Sequence, residues 1–203
     1  MQIVYLIAGQ GERDAIHAPL SAESFRVEYC ADVETFCAVP DIDPSGCILI
    51  DPPAEAVAPL ARLQAIREPL PIIVLSDSAD VALAVRAMKE GASDVVQKPI
   101  DPAQLRAAVS VALEKSRARV ELAQRKKELY ARFRSLSIRE RDVVDAVLDG
   151  RGNREVASQL GIKPRTVEIH RSNAMNKLGA RTLPELVRIW LDVDANTARL
   201  SAE

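Results

Sequence analysis

Long apolar runs are missing from these 203 residues: no stretch reaches about eighteen apolar residues, so a membrane-spanning helix is not expected. The N-terminus, MQIVYLIAGQGER, lacks the basic residues that open a secretory signal, and the expected compartment is the cytoplasm. Cysteine is scarce. Cys30, Cys37 and Cys47 are odd in number and lack metal-ligand spacing, which argues against a disulfide framework or a zinc site and for buried thiols. No Gly-rich phosphate loop, metal-ligand cluster or activated nucleophile stands out, so the chain does not read as an enzyme and calls for no cofactor and no metal.

Net charge is low as well, at −2, but it hides a split. Residues 1–113 hold 8 basic and 16 acidic side chains, whereas 114–191 hold 18 basic and 10 acidic. An acidic half followed by a basic half is the pattern of a regulatory module joined to one that binds nucleic acid. With 48% apolar residues the length suits two small soluble domains.

The most organised stretch is PRTVEIHRSNAMNKL, Pro164 to Leu178. Val167, Ala174, Met175 and Leu178 recur at helical spacings and form one apolar stripe, leaving Arg165, Thr166, Glu168, Ile169, His170, Arg171 and Ser172 on the other side. An outward Ile among these polar residues points to a surface that meets something. Before it, NREVASQL reads as a short helix capped by Asn153, and Gly161 supplies a left-handed ending. Pro164 then suits a first helical turn, because its missing N–H costs nothing there. Two helices joined by a short turn around Gly form the motif whose second helix enters the DNA major groove. Ser137 with Glu140 and Thr182 with Glu185 read as capping boxes, and Gly150 and Gly179 as helix stops.

Residues 136–191, through LSIRERDVV, NREVASQLGIKPRTVEIHRSNAMNKLGART and LPELVRI, resemble the four-helix DNA-binding domain of the LuxR/GerE type. The resemblance implies that Glu168, Ile169 and Ser172 face base edges while Arg165, Thr166, His170, Arg171 and Lys177 hold phosphates. Lys163 stands where family members often carry a capping Ser, and adds a possible phosphate contact. Leu186, Ile189 and Trp190 are expected to pack or pair the last helix.

In the first half, short apolar runs at Ile3–Ala8, Phe25–Tyr29, Cys47–Ile50, Ile72–Leu75 and Val95–Val96 read as strands. Helix-like stretches fall between them at roughly 12–20, 33–39, 54–67 and 80–90, the last with Val81, Val85 and Met88 on one face and Gly91 as its stop. Alternation of this kind predicts a doubly wound five-stranded parallel sheet, flavodoxin-like, with its site at the C-terminal strand ends. Asp51, Ser76 with Asp77, and Lys98 would converge there. CILID and VLSDSADVALAVRAMKEGASDVVQKPIDPAQL resemble the receiver domain of two-component response regulators, and the whole chain resembles the NarL/FixJ type.

By that resemblance Asp51 matches the phosphoacceptor, Ser76 the hydroxyl residue and Lys98 the lysine. Receivers also hold Mg²⁺ with paired acids after the first strand, where this chain has Ala8 and Gly9. Pro53 removes an N–H that the family offers to a phosphoryl oxygen, Asp77 adds a negative charge, and Val95 replaces the aromatic switch. An atypical receiver is therefore expected, in which Lys98 pairs with Asp51, and with Asp77, as a permanent bridge. Conventional activation through phosphorylated Asp51, and a pure interaction protein without DNA binding, stay open as alternatives.

The expected domains are a receiver at 1–113, a helical linker at 114–134 and a DNA-binding domain at 135–203. No Gly or Pro interrupts the chain between Pro102 and Gly150, and Asp101 reads as a helix cap. Leu105, Val109, Ala112, Ser116, Val120, Ala123, Lys127 and Tyr130 could form a coiled-coil seam, weakened at Ser116 and Lys127. The expected partners are double-stranded promoter DNA, a second copy of the chain, RNA polymerase and, less readily, a sensor kinase.

Overall fold

Side chains alternate between the two faces along each strand, and the central strands of the first half bury both sets. The computed structural model describes residues 2–21, 25–52, 60, 62–63, 70–77 and 81–200, with the backbone alone for residue 15 and residues 192–200. Strands β1 (Gln2–Ile7), β2 (Phe25–Cys30), β3 (Cys47–Ile50), β4 (Ile72–Ser76) and β5 (Asp94–Gln97) pair in parallel in the order β2-β1-β3-β4-β5. Each expected strand is present, with ends shifted by one residue or none.

Val4, Leu6, Leu49 and Leu75 point to one face, where Ile16 and Leu20 of helix Arg13–Ser21 and Leu105, Val109 and Leu113 of helix Pro102–Arg134 cover them. Tyr5, Ile7, Ile48, Ile50 and Val74 point to the other, against Phe36 of helix Val33–Cys37 and Ala87 of helix Val81–Lys89. Burial on both faces explains why β3 and β4 read as unbroken apolar runs. The order reverses at β1 and β3, which opens a crevice at the strand ends carrying Ala8 and Asp51.

Two details depart from expectation. In helix Val81–Lys89 the stripe Val81, Val85 and Met88 faces solvent, at 74%, 47% and 49% exposure, while Ala87 meets the sheet. Ser116, expected to weaken a seam, is fully buried and donates its hydroxyl to Gly46 O at 2.7 Å and Pro44 O at 3.1 Å. Gly46 itself is required by close approach, since a Cβ there would lie 2.9 Å from the Tyr5 ring and 3.0 Å from Ile3 O. Pro53, and the helix expected at 54–67 apart from residues 60 and 62–63, lie outside the described residues.

The chain divides into two compact units, 1–121 and 122–203. Helices Ile138–Leu148, Asn153–Leu160, Pro164–Leu178 and Leu183–Leu200 form the second unit around Val143, Val156, Val167, Ala174, Leu178 and Leu186. Ser137 and Glu140 make the expected capping box, the hydroxyl accepting from Glu140 N–H and the carboxylate from Ser137 N–H. Helix Asn153–Leu160 starts one residue earlier than expected in its cap: Gly152 is the cap, and Glu155 accepts its N–H at 2.9 Å. Thr182 accepts from Glu185 N–H as expected, but the Glu185 carboxylate takes Arg181 N–H, one residue before the box.

Candidate functional site

Two places in the chain gather polar residues that the fold does not need. The first is the C-terminal end of the sheet. Lys98 follows β5, and its N–H donates to Ser76 O, which prolongs the β4–β5 ladder and carries the side chain over the crevice. Its ammonium donates to Asp51 Oδ2 at 2.9 Å, with the two side chains only 13% and 10% exposed. Asp77 Oδ1 lies 3.4 Å away and Glu12 Oε2 3.7 Å away, both from more open positions. Burial by itself depresses the Lys98 ammonium, yet the hydrogen bond and charge of Asp51, helped by Asp77 and Glu12, hold its pKa above the ordinary lysine value.

Glu12 reaches this cluster because the turn Gln10–Glu12 folds back, with Glu12 N–H on Gly9 O. Glu12 is the first acid after β1, and no local pattern in the sequence signals that it returns to this cluster. At the β1 end itself stand Ala8, buried and apolar, and Gly9; the Arg13 guanidinium donates to Ala8 O at 3.3 Å. Ser76 is buried at the end of β4, and Val95 is half-buried in the second core. Among the described residues no group of three His, Cys, Asp or Glu side chains could hold a metal ion.

The second place is the outer side of helix Pro164–Leu178. The turn before it is set by Gly161, whose φ of 65° is left-handed, and by Ile162 N–H on Ala157 O, a Schellman ending. Lys163 caps the helix without a side-chain hydrogen bond, and Pro164 opens it. Val167, Ala174 and Leu178 are fully buried, and this anchors the opposite face outward. Lys163, Arg165, Glu168, Ile169 and Ser172 are exposed there, Ile169 at 51%, while Thr166, His170 and Arg171 are half-buried. Arg165 pairs with Glu168 at 2.8 Å, and Arg171 approaches Asn153 Oδ1 at 3.5 Å.

Lys177 is placed differently from the rest. Its ammonium donates to Glu140 Oε2 at 2.7 Å and to Ser135 O at 3.2 Å, tying the helix to the start of Ile138–Leu148. That hydrogen bond, with the Ser137 N–H, holds the Glu140 carboxyl below the usual carboxylate range. The two residues are 37 apart in sequence, so no local spacing could have revealed the pair.

Both halves of the chain match known protein families. Residues 10–110 match the response regulator receiver domain, and 134–190 match the bacterial regulatory proteins of the luxR family. The transcriptional regulatory protein FixJ of Bradyrhizobium diazoefficiens is 34% identical over 181 residues, covering 87% of this chain and 88% of that protein. This chain is a response regulator of the NarL/FixJ type. The regulator also resembles two solved structures along nearly its whole length. The response regulator StyR gives a TM-score of 0.79 at 29% identity, covering 93% of this chain and 97% of that one. Full-length FixJ from B. japonicum gives 0.54 at 32% identity, covering 96% and 97%. The regulator is thus a DNA-binding transcriptional protein, as its relatives are regulators rather than enzymes. No helix among its described residues is long and apolar enough to cross a membrane.

Proposed function

We propose that this regulator binds promoter DNA as a dimer and is controlled without conventional Mg²⁺-dependent phosphorylation of Asp51. The observation that carries the reading is the Lys98 ammonium 2.9 Å from Asp51 Oδ2, in a crevice whose β1 end offers Ala8 and Gly9 instead of two acids. These residues do not fit a Mg²⁺ ion, which needs oxygen ligands in near-octahedral array. Asp51 is engaged by Lys98, Glu12 is drawn toward the same ammonium, and Asp77 brings a further negative charge against an incoming phosphoryl group. Lys98 then performs as a permanent tether the task that a phosphoryl group performs in a switched receiver.

At the other end, helix Pro164–Leu178 enters the major groove. Glu168 accepts from cytosine N4, Ile169 touches a thymine methyl and Ser172 reads an adjoining edge, with about 1–3 kcal/mol of discrimination for each good bidentate contact. Lys163 and Arg165, at the helix start, hold phosphates together with Thr166, His170 and Arg171. We leave Lys177 out of that set, because its ammonium already donates to Glu140 and to Ser135 O. On this reading the bound dimer acts on RNA polymerase at the promoter, in the cytoplasm, and a sensor kinase is not required.

The test is addition of beryllofluoride and Mg²⁺ to the full-length protein, followed through the amide resonances of Asp51, Ser76 and Lys98, with DNA binding to its own upstream region measured alongside. Unchanged resonances with intact, salt-sensitive DNA binding are expected. Shifts that require both Asp51 and Mg²⁺ would return the protein to conventional phosphoryl control.

A further inference from the structure

Two helices of the second unit end against one another, and each supplies a cation to the other's terminus. The first is the last part of helix Pro102–Arg134, whose residues 122–134 belong to this unit. Phe133 packs on the core that holds Val143 and Leu178, and Leu136 is buried just beyond it. Ser135 closes this helix locally: its N–H donates to Ala131 O and Arg132 O, and its hydroxyl to Arg132 O at 2.7 Å. Ser135 O lies past that closure, and the Lys177 ammonium of helix Pro164–Leu178 donates to it at 3.2 Å.

Helix Pro164–Leu178 ends in the same manner. Gly179 N–H donates to Asn176 O and Ala180 N–H to Met175 O, which closes the last turn. Leu178 O lies past that closure, and Arg132 Nη1 stands 3.5 Å from it. The guanidinium reaches so close over Gly179 that a Cβ there would lie 2.9 Å from Nη1. The carbonyl ends of both helices carry partial negative charge, so bringing them together without a cation would be repulsive. Here Arg132 serves the end of one helix and Lys177 the end of the other. Lys177 is held in turn by Glu140, so the joint is continuous with the start of helix Ile138–Leu148.

We propose that Arg132 is a positioning residue for helix Pro164–Leu178: with Lys177 it locks the C-terminal end of that helix to residues 122–134, so that the two segments turn as one body. The inference rests on the DNA-binding reading for its purpose. Arg165 to Ser172 lie about 10–20 Å along the helix from this lock, at about 1.5 Å per residue. Arg132 therefore acts on how the helix is presented and not by touching DNA.

Residual dipolar couplings of the full-length protein, measured without DNA, test the lock. Amides of 122–134 and 164–178 are expected to fit one alignment frame in the wild type and in Arg132→Lys, which keeps a cation, and to need two frames in Arg132→Ala. Arg132→Ala should also bind the upstream DNA about threefold more weakly, the share that a cation at a helix C-terminus contributes. Its base preference and salt slope should stay those of the wild type. A lowered urea midpoint with a single frame would make Arg132 merely structural, and a salt slope reduced by about 1 would make it a phosphate contact. Either result would overturn the proposal, as would two frames in the wild type or an Arg132→Lys variant that behaves like Arg132→Ala. Circular dichroism checks the fold, and Arg132→Met, which keeps an apolar stem without charge or donor, gives the same reading where the alanine variant does not fold. A wild type that does not bind DNA would strike only the functional reading, because the couplings decide the lock by themselves.

Discussion

Lys98 and Arg165 are each hydrogen-bonded to a carboxylate, at 2.9 Å and 2.8 Å, yet the two ion pairs are not alike. At the sheet end the side chains of Lys98 and Asp51 are 13% and 10% exposed; on the outward helix those of Arg165 and Glu168 are 83% and 47% exposed. Solvent screens the second pair to a few tenths of a kcal/mol, and a phosphate or a base can replace either partner at little cost. Breaking the first leaves a mostly buried charge without its closest partner. Burial rather than distance thus separates a pair that closes a site from one that leaves it open to a ligand.

The largest effect expected from this contrast follows Lys98→Ala, which should destabilise the first unit by about 3–5 kcal/mol through the unpaired Asp51. Hydrogen exchange at β3 and β5 amides would show it. Arg165→Ala should change stability by no more than about 0.5 kcal/mol. Equal losses in the two variants would end the comparison.

On DNA the order reverses. Glu168→Ala should relax base preference by about 1–3 kcal/mol at one position of the site. Arg165→Ala should instead weaken all sequences evenly and reduce the salt slope by about 1. Competition binding at two salt concentrations separates the two results, and a sequence-selective loss with Arg165→Ala would contradict its assignment to phosphate.

A smaller effect concerns the cap that holds Lys177 inward. Ser137→Ala should cost about 1 kcal/mol in the second unit, read from the urea transition of Trp190 fluorescence. A neutral result would mean that Glu140 holds the helix start without the hydroxyl.

The pH responses of the two units should also be opposite. Lys98 has its pKa raised in the folded state, so its contribution is complete below the ordinary 10.5 and is lost as pH rises through the higher folded value. Glu140 has its pKa lowered, so its contribution is complete above the ordinary 4.5 and is lost as pH falls through the lower folded value. Alkaline titration should therefore loosen the sheet end first, and acid the start of helix Ile138–Leu148. Amide exchange across both ranges would reveal a reversed order if the pairs were assigned wrongly.

Much of this arrangement could be read without coordinates. Continuous apolar runs marked the strands because both faces of a parallel sheet are covered, and Gly161 with Pro164 marked the turn because few residues suit a left-handed ending or a first helical turn. Asp51 and Lys98, 47 residues apart, were legible as neighbours because a doubly wound parallel sheet gathers its C-terminal strand ends, and family resemblance gave them their roles. Other features left no local trace. Lys177 carries the same charge as Arg165 and sits on the same helix, but Lys177 pairs with Glu140 of a neighbouring helix and Arg165 with Glu168 of its own. Periodicity showed that helix Val81–Lys89 has an apolar stripe without showing that small Ala87, and not Val81 or Met88, would meet the sheet.

By itself the sequence determined the order and type of the elements, the turn that presents helix Pro164–Leu178, and the charge division between the halves. Those properties depend on near neighbours in the chain: apolar period, backbone freedom at Gly and Pro, and side-chain capping. Tertiary structure alone decided that Glu12 returns to Lys98, that Ser116 anchors a loop, that Lys177 turns inward, and which stripe of helix Pro102–Arg134 stays exposed. Each of these is settled by what another element buries or presents at that spot, and burial is a property of the packed molecule that no single stretch of chain contains.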